Sequence, residues 1–228
     1  MPTPKPRTKP GILWFFAIFL LSFCRIGEAA HPGPTPDGEF ALGCANANNL
    51  LSKADVVAKL PGGIWGFSET CLTHGGIEHF QKNLKMQPDN AGIRFLPGAP
   101  APRISSNAAS IGGKHVGVGF CTKFPARPLT NDWSPEIWSS ARVQTAGIHV
   151  GQWIRGGIAY GFAKDCHTPK VLAQTHELLQ AITSRIVLQS HGPRFLMGDF
   201  NLETDQIELA QFWQDHGFVE AQTFAYHQ

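Results

Sequence analysis

The chain has little charge, and it lacks the residue patterns that hold metals through sulfur or imidazole. Only 16% of its 228 residues are Asp, Glu, Lys or Arg. That is too few for a disordered polyelectrolyte or a charge-laced coiled coil. No CxxC occurs, and the five cysteines, Cys24, Cys44, Cys71, Cys121 and Cys166, are widely spaced and odd in number. This argues against a disulfide framework and against a zinc site built on cysteine. Buried free thiols in a reducing compartment are the simpler reading. Ten histidines are present, yet neither HxH nor HxxxH appears, so paired imidazole ligands are not indicated. No internal repeat is visible.

Charge of one sign is missing from particular stretches. Residues 195–228 hold six acids and no Lys or Arg, whereas residues 78–127 hold seven Lys and Arg against two acids. The net charge of +2 comes entirely from the first 38 residues, and from residue 39 onward the two signs balance. A neutral domain with such separation suits a polyanion at one place and a cation at another. It is not the uniformly basic signature of a tight nucleic-acid binder.

Long apolar runs are also absent, apart from Gly11–Cys24, "GILWFFAIFLLSFC". This run follows the basic, Pro-rich "MPTPKPRTKP" and precedes Arg25 and the small residues Ala29 and Ala30. Its length suits a secretory signal better than a spanning helix, which needs about 20 apolar residues. Two readings stand. Either it is a signal or anchor, which places the protein in the secretory route or on a membrane, or it lies upstream of the true start, which leaves a nuclear or cytoplasmic protein. Residues 1–38 are therefore expected to be leader and linker, and residues 39–228 the folded domain.

Within 39–228 the periodicity alternates between strand and helix. "EFALGCA" predicts a strand, and Leu50, Ala54, Val57 and Leu60 follow at helical spacing up to Pro61-Gly62-Gly63. "IWGFSET" predicts a second strand, and Ile77, Phe80 and Leu84 a short amphipathic helix. Residues 86–114 are rich in Pro, Gly and Ser and read as a long loop with a small strand at "GIRFL". "HVGVGFC", "ARVQTAGIHV" and "IRGGIAYGF" predict closely connected, antiparallel strands. Thr168 and Pro169 start a helix whose stripe is Val171, Leu172, Leu178, Leu179, Ile182 and Ile186. The strand "RFLM", a helix over "TDQIELAQFWQDHG" and the strand "FVEAQTF" complete an α/β domain.

Polar residues gather at the predicted strand ends. Asn46 and Asn48 follow the first strand, Glu69 the second, Tyr160 ends another, and Asp199 and Asn201 follow "RFLM". In layered α/β folds, side chains from strand ends converge on ligands. Two carboxylates with carboxamides are hard oxygen donors, suited to Mg2+ or Mn2+ and completed by substrate phosphates. Taken singly, each residue has a plainer explanation: a solvated carboxylate, a turn-forming Asn, a core Tyr. Their order and spacing together are the stronger signal.

The set "NANNLLSK", "SET", "AYG" and "GDFN", in this order over about residues 39–225, resembles the endonuclease/exonuclease/phosphatase superfamily, the deoxyribonuclease I-like fold. The flavour is similar to the endonuclease domain that accompanies non-LTR retrotransposon reverse transcriptases. "GDFN" is the specific piece, "SET" is supportive, and the other two are weak alone. The resemblance implies a four-layer α/β sandwich, two mixed β-sheets packed face to face with helices outside. It implies Glu69 as ligand of Mg2+ or Mn2+, and Asn46 as an active-site amide with Asn48 beside it at the substrate. It implies Tyr160 bonding the scissile phosphate or the attacking water, Asp199 activating that water, and Asn201 binding the phosphate. The implied partner is nucleic acid, DNA first, with a fused reverse transcriptase in a longer form and no obligate protein partner.

The sequence departs from the family at several points. Cys44-Ala45 stands where the family has Trp or Thr-Trp, Asn49 where it has Gly, and Ser68 where it has Gln. No residue matches the family's terminal Ser-Asp-His or its late-strand Asp. Asp205, Asp215 and His216 fall in a predicted helix, and His227 lacks the motif. The expectation is a member incomplete at its C-terminus, with a sheet edge uncovered and weak or no activity. Two alternatives stay open: an inactive fragment that binds only metal or nucleic acid, and a secreted or tethered phosphoesterase of the same superfamily.

Overall fold

In a computed structural model, residues 20–22, 41–60, 63–90, 92–100, 116–129, 141–162, 166–188, 192–202 and 209–220 are described. In chain order the elements are β1 (Leu20–Ser22), β2 (Ala41–Asn46), α1 (Ala54–Ala58), β3 (Gly63–Ser68), α2 (His74–Met86), β4 (Arg94–Pro97) and β5 (Gly119–Thr122). They continue with β6 (Ala126–Pro128), β7 (Val143–His149), β8 (Trp153–Tyr160), α3 (Pro169–Leu188), β9 (Arg194–Asp199), α4 (Ala210–Asp215) and β10 (Phe218–Glu220).

The strands form two mixed sheets. One has the order β2-β3-β5-β4 and the other β10-β1-β9-β8-β7-β6. β2 and β3 run parallel, as do β8 and β9, while the other pairs are antiparallel. Two parallel pairs, one per sheet, each need a crossover, and α1 and α3 lie in those crossovers.

Alternation along the strands sorts side chains into three cores. Cys44, Ile64, Phe120, Ile148, Ile158, Phe195 and Met197 fill the space between the sheets. Ala45, Phe67 and Phe95 face the opposite way and pack under Val57, Phe80 and Leu84 of α1 and α2. Val143, Ala159 and Leu196 pack under Leu179, Ile182 and Ile186 of α3 and Trp213 of α4. The result is the expected four-layer sandwich of helices, sheet, sheet and helices.

Three elements depart from the expected ones. The predicted helix after β2 shrinks to five residues, because Asn48 and Asn49 adopt positive φ (41° and 74°) and hold residues 47–50 in an irregular loop. Asn tolerates that conformation, and its side chain bonds the backbone two residues on, as from Asn49 Oδ1 to the Leu51 N–H at 3.1 Å. β1 comes from within the apolar leader. It pairs antiparallel with β9 on one side and β10 on the other, so part of residues 1–38 joins the larger sheet. The three-residue strand β6 is not apparent from the sequence, since Arg127 and Pro128 give it no alternation. Most of the 86–114 loop and the ends of the two C-terminal predicted elements lie outside the described residues. Among the described residues, no helix is long and apolar enough to cross a membrane.

Candidate active site

The two parallel strand pairs end at the same edge of the sandwich. Asn46 is the last residue of β2 and stands in register with Ser68, the last of β3, so Glu69 emerges beside it. Tyr160 is the last residue of β8 and stands in register with Asp199, the last of β9. The sheets then touch through these ends. Asn46 Nδ2 donates to Asp199 Oδ2 at 3.4 Å, and the Tyr160 hydroxyl donates to Glu69 Oε1 in a short contact. Residues separated by 153 and 91 positions thus form one cluster.

The backbone is set to present these groups. Glu69 sits at φ 50° and Asn201 at φ 52°. For Glu this left-handed conformation is unfavourable and persists only where surrounding bonds impose it. They do so here. The loop after β2 pairs with the loop after β3 through Ala47 N to Ser68 O (2.8 Å), Asn49 N to Glu69 O (2.9 Å) and Leu50 N to Thr70 O (2.9 Å). On the other side, Thr70 N donates to Gly117 O at 3.0 Å. The strand-end turn after β9 depends on Gly198, whose φ of 151° accompanies a close approach to Ala159. A Cβ there would meet the Ala159 carbonyl oxygen at 1.9 Å.

Each amide has a defined task. Asn46 Oδ1 accepts the Asn48 N–H at 3.0 Å, which aims its Nδ2 at Asp199. Asn201 Nδ2 donates to Gly161 O at 3.2 Å, and its N–H donates to Asp199 Oδ1 at 3.3 Å. Asp199 therefore accepts from both Asn46 and Asn201. Asn48 is exposed at the rim and meets the cluster only through its backbone N–H.

Electrostatics follow from partial burial. Burial raises the Asp199 pKa, and the charge of Glu69 raises it further, while the bonds from Asn46 and Asn201 oppose the rise. The Tyr160 pKa also rises, first by burial and then by its bond to Glu69, so its hydroxyl remains a proton donor through neutral pH. Cys44, buried beside Asp199, is pushed up to about 12 by burial and by that charge, and stays an unreactive thiol. No disulfide joins the four described cysteines, Cys44, Cys71, Cys121 and Cys166.

One participant escaped the sequence reading. Arg142, just before β7, is 6% exposed, and its Nη1 donates to Gly161 O at 2.8 Å and to Tyr160 O at 3.3 Å. Its guanidinium lies over the Tyr160 ring at 5.1 Å and the Phe162 ring at 4.2 Å. Burial lowers its pKa, whereas Tyr160 and Glu69 raise it. It clamps the end of β8 and sets a positive charge behind the Glu69–Tyr160 pair. The available signal was a lone Arg opening a strand of otherwise uncharged residues, "RVQTAGI". By contrast, Asp215 and His216 do not join the cluster. Asp215 accepts from Gln211 Nε2 at 2.8 Å, and His216 Nδ1 contacts Phe212 O at 2.8 Å, both within the α4 segment. Asp205 and His227 lie outside the described residues.

The donor set is oxygen-based: two carboxylates that repel, with carboxamides around them. Among the described residues, no group of three or more His, Cys, Asp and Glu is gathered. Two carboxylates with carboxamides are donors of the kind that suit a hard divalent cation, which would draw its further ligands from a phosphate.

No protein-family model matches the chain, and no curated protein sequence does. Solved structures do match. An AP endonuclease from Archaeoglobus fulgidus superposes with a TM-score of 0.56 at 14% identity, over 82% of this chain and 74% of that one. A 3'-5' exonuclease (NExo) from Neisseria meningitidis superposes with a TM-score of 0.51 at 16% identity, over 76% of this chain and 68% of that one. At such identities the likeness speaks for the fold alone, and the chain is a two-sheet α/β sandwich of the deoxyribonuclease I-like fold.

Proposed function

We propose that this chain is a divalent-metal-dependent phosphodiester hydrolase of nucleic acid, with DNA as its first substrate. One observation carries the reading: Asn46, Glu69, Tyr160 and Asp199, from the ends of two parallel strand pairs in different sheets, meet in one polar cluster. Glu69 is the residue to hold Mg2+ or Mn2+, with Asp199 near enough for their charges to interact. A cation held by Glu69 would offset the repulsion that Asp199 feels from that carboxylate. When bound, it supplies charge neutralisation on a phosphate oxygen and on the leaving oxygen.

The chain's own residues do the rest. Asp199, with its raised pKa and two amide donors, orients a water and accepts its proton. The Tyr160 phenol, kept protonated, donates to the scissile phosphate or to the water. Asn201 keeps one amide hydrogen on Gly161 O and turns the other toward a phosphate oxygen. Asn46 fixes Asp199, and the exposed Asn48 meets the substrate at the rim.

Within that class, the order of "NANN", "SET", "AYG" and "GDFN" supports a retroelement-type DNA endonuclease, joined to a reverse transcriptase in a longer form. No residue of the chain matches that family's terminal His and its Asp partner, so turnover by this chain is expected to be slow. The test places the full chain in excess over supercoiled plasmid and, separately, over labelled RNA, with Mg2+, with Mn2+ and with EDTA. Slow, metal-dependent nicking of the plasmid is expected. Cleavage of RNA in preference to the plasmid would shift the substrate, and cleavage that persists in EDTA would refute the reading.

A further inference from the structure

At the opposite end of the larger sheet, arginines line up across the strands. Arg127 of β6 stands opposite Gly147 of β7, Gly147 opposite Arg155 of β8, and Arg155 opposite Arg194 of β9. Residues in register share a face, and alternation from Val143, Ala159 and Leu196 puts this row on the face covered by α3. The row crosses three strand spacings, about 14 Å. Gly147 leaves room at its centre, and the Trp153 ring fills it. A Cβ at Gly147 would meet that ring at 3.4 Å, and the Arg127 guanidinium stacks on it at 4.7 Å. Trp153 is 48% exposed, so the stack faces solvent. Arg185, near the C-terminus of α3, adds its charge to the same neighbourhood.

These cations raise one another's cost. Burial lowers the Arg155 pKa, and the charges of Arg185 and Arg127 lower it further. Among the described residues, no carboxylate forms an ion pair with Arg127, Arg155 or Arg194. Arg155 Nη1 and Arg194 Nε are buried without a hydrogen-bond partner among the described residues. Leaving a charged donor so placed is unfavourable unless a ligand completes it. The C-terminal end of α3 offers partial compensation, since Arg194 Nη1 donates to Val187 O at 3.3 Å. A helix terminus carries only about half a unit of negative charge, too little for the whole row.

We propose that this row is a second anion-binding site that grips the phosphate backbone of a nucleic-acid strand, remote from the cluster at the strand ends. Its length favours a strand over a single phosphate group, and an exposed aromatic among arginines is the arrangement that holds single-stranded backbone and base together. Arg155 and Arg194 lie five residues before Tyr160 and Asp199 on the same strands, about 17 Å away along the sheet. The site binds without metal and does not depend on the hydrolytic reading.

The test is fluorescence anisotropy of a labelled single-stranded DNA oligonucleotide with the full chain in EDTA, over a series of salt concentrations. Arg127, on an exposed strand, is the safer substitution, and Arg155 the stronger one. Arg127→Gln is expected to weaken binding several-fold at low salt and to reduce the salt slope by about one unit, with Arg127→Gln/Arg155→Gln reducing it by about two. Arg127→Glu should weaken it more than Arg127→Gln. Lys82→Gln, at an exposed cation of α2 over the other sheet, should bind the oligonucleotide as the parent does, which separates the row from a general effect of charge. The proposal is overturned if Arg127→Gln and Arg127→Glu leave affinity and salt slope unchanged. A lower melting temperature with unchanged binding assigns the arginines to the α3 terminus alone. Displacement of pyrophosphate but not of the oligonucleotide by these substitutions limits the site to small phosphates and overturns the strand assignment.

Discussion

The hydroxyl of Tyr160, at the end of β8, donates to Oε1 of Glu69, just past β3, and so ties the two sheets together at their polar edge. The bond places a neutral donor on a carboxylate that also carries backbone strain at φ 50°. Removing the donor should therefore be felt in stability as well as in chemistry. Tyr160→Phe is expected to lower stability by about 1 kcal/mol in metal-free buffer. The difference should shrink when Mg2+ is added, because a cation replaces the lost partner of Glu69. Thermal melts of both proteins with EDTA and with Mg2+ check this, and any nicking activity should fall at least tenfold.

Asp199→Asn should abolish activity while making the protein more stable at neutral pH. The Asp199 pKa is raised in the folded state, from the ordinary 3.8, chiefly by burial. A raised carboxyl pKa means the folded chain binds its proton more tightly than the unfolded chain does. Its ionisation therefore costs stability above the folded pKa, and that cost is absent below the unfolded one. A gain of about 1 kcal/mol is expected at pH 7, in line with relief of functional-site strain. It should vanish near pH 3.5. Denaturant unfolding at the two pH values makes the comparison.

Arg142 is predicted to be indispensable to the shape of the site. Two carbonyls and two rings depend on one buried guanidinium. Arg142→Lys keeps the charge but not the planar fork, and should cost about 2 kcal/mol. Arg142→Met should cost more, since it also strips the positive charge from behind Glu69. The Tyr160–Glu69 pair would then loosen, and metal affinity should change along with stability, a link that a purely structural residue elsewhere in the core would not show.

Gly198→Ala is expected to prevent folding at 37 °C or to cost about 4 kcal/mol. The φ of 151° and a clash at 1.9 Å with the Ala159 carbonyl leave no room for a methyl group. Circular dichroism of the expressed variant is sufficient to see it.

How legible all this was in the sequence depends on the range of the signal. The "FLMGD" strand, the long α3 stripe and the strand-end positions of Glu69, Tyr160 and Asp199 follow from local alternation and turn residues, and the structure places them accordingly. The sequence predicts helix after β2 because Leu50, Ala54, Val57 and Leu60 keep helical spacing. That spacing instead reflects a largely exposed loop that buries Ala47 and Leu50, followed by one short turn of helix. β1 could not be expected, since its partners, β9 and β10, lie more than 170 residues away and its own stretch reads as leader. Arg142 and the arginine row were hidden for the same reason. The basic segment 78–127 contributes only Arg127 to the row, and the other members come from strands and a helix where they stand singly in sequence. Register, which sets such rows, is not written in any local pattern.

The most direct measurement of the central claim, that two sheets build one cation-binding hydrolytic centre, is Mn2+ binding followed by the loss of its free electron paramagnetic resonance signal, in the presence of a short DNA oligonucleotide. The parent is predicted to bind one Mn2+ in competition with Mg2+, Glu69→Gln to lose that binding at least tenfold, and Asp199→Asn to weaken it. Equal Mn2+ binding by the parent and Glu69→Gln, or none by the parent at millimolar metal, would contradict it.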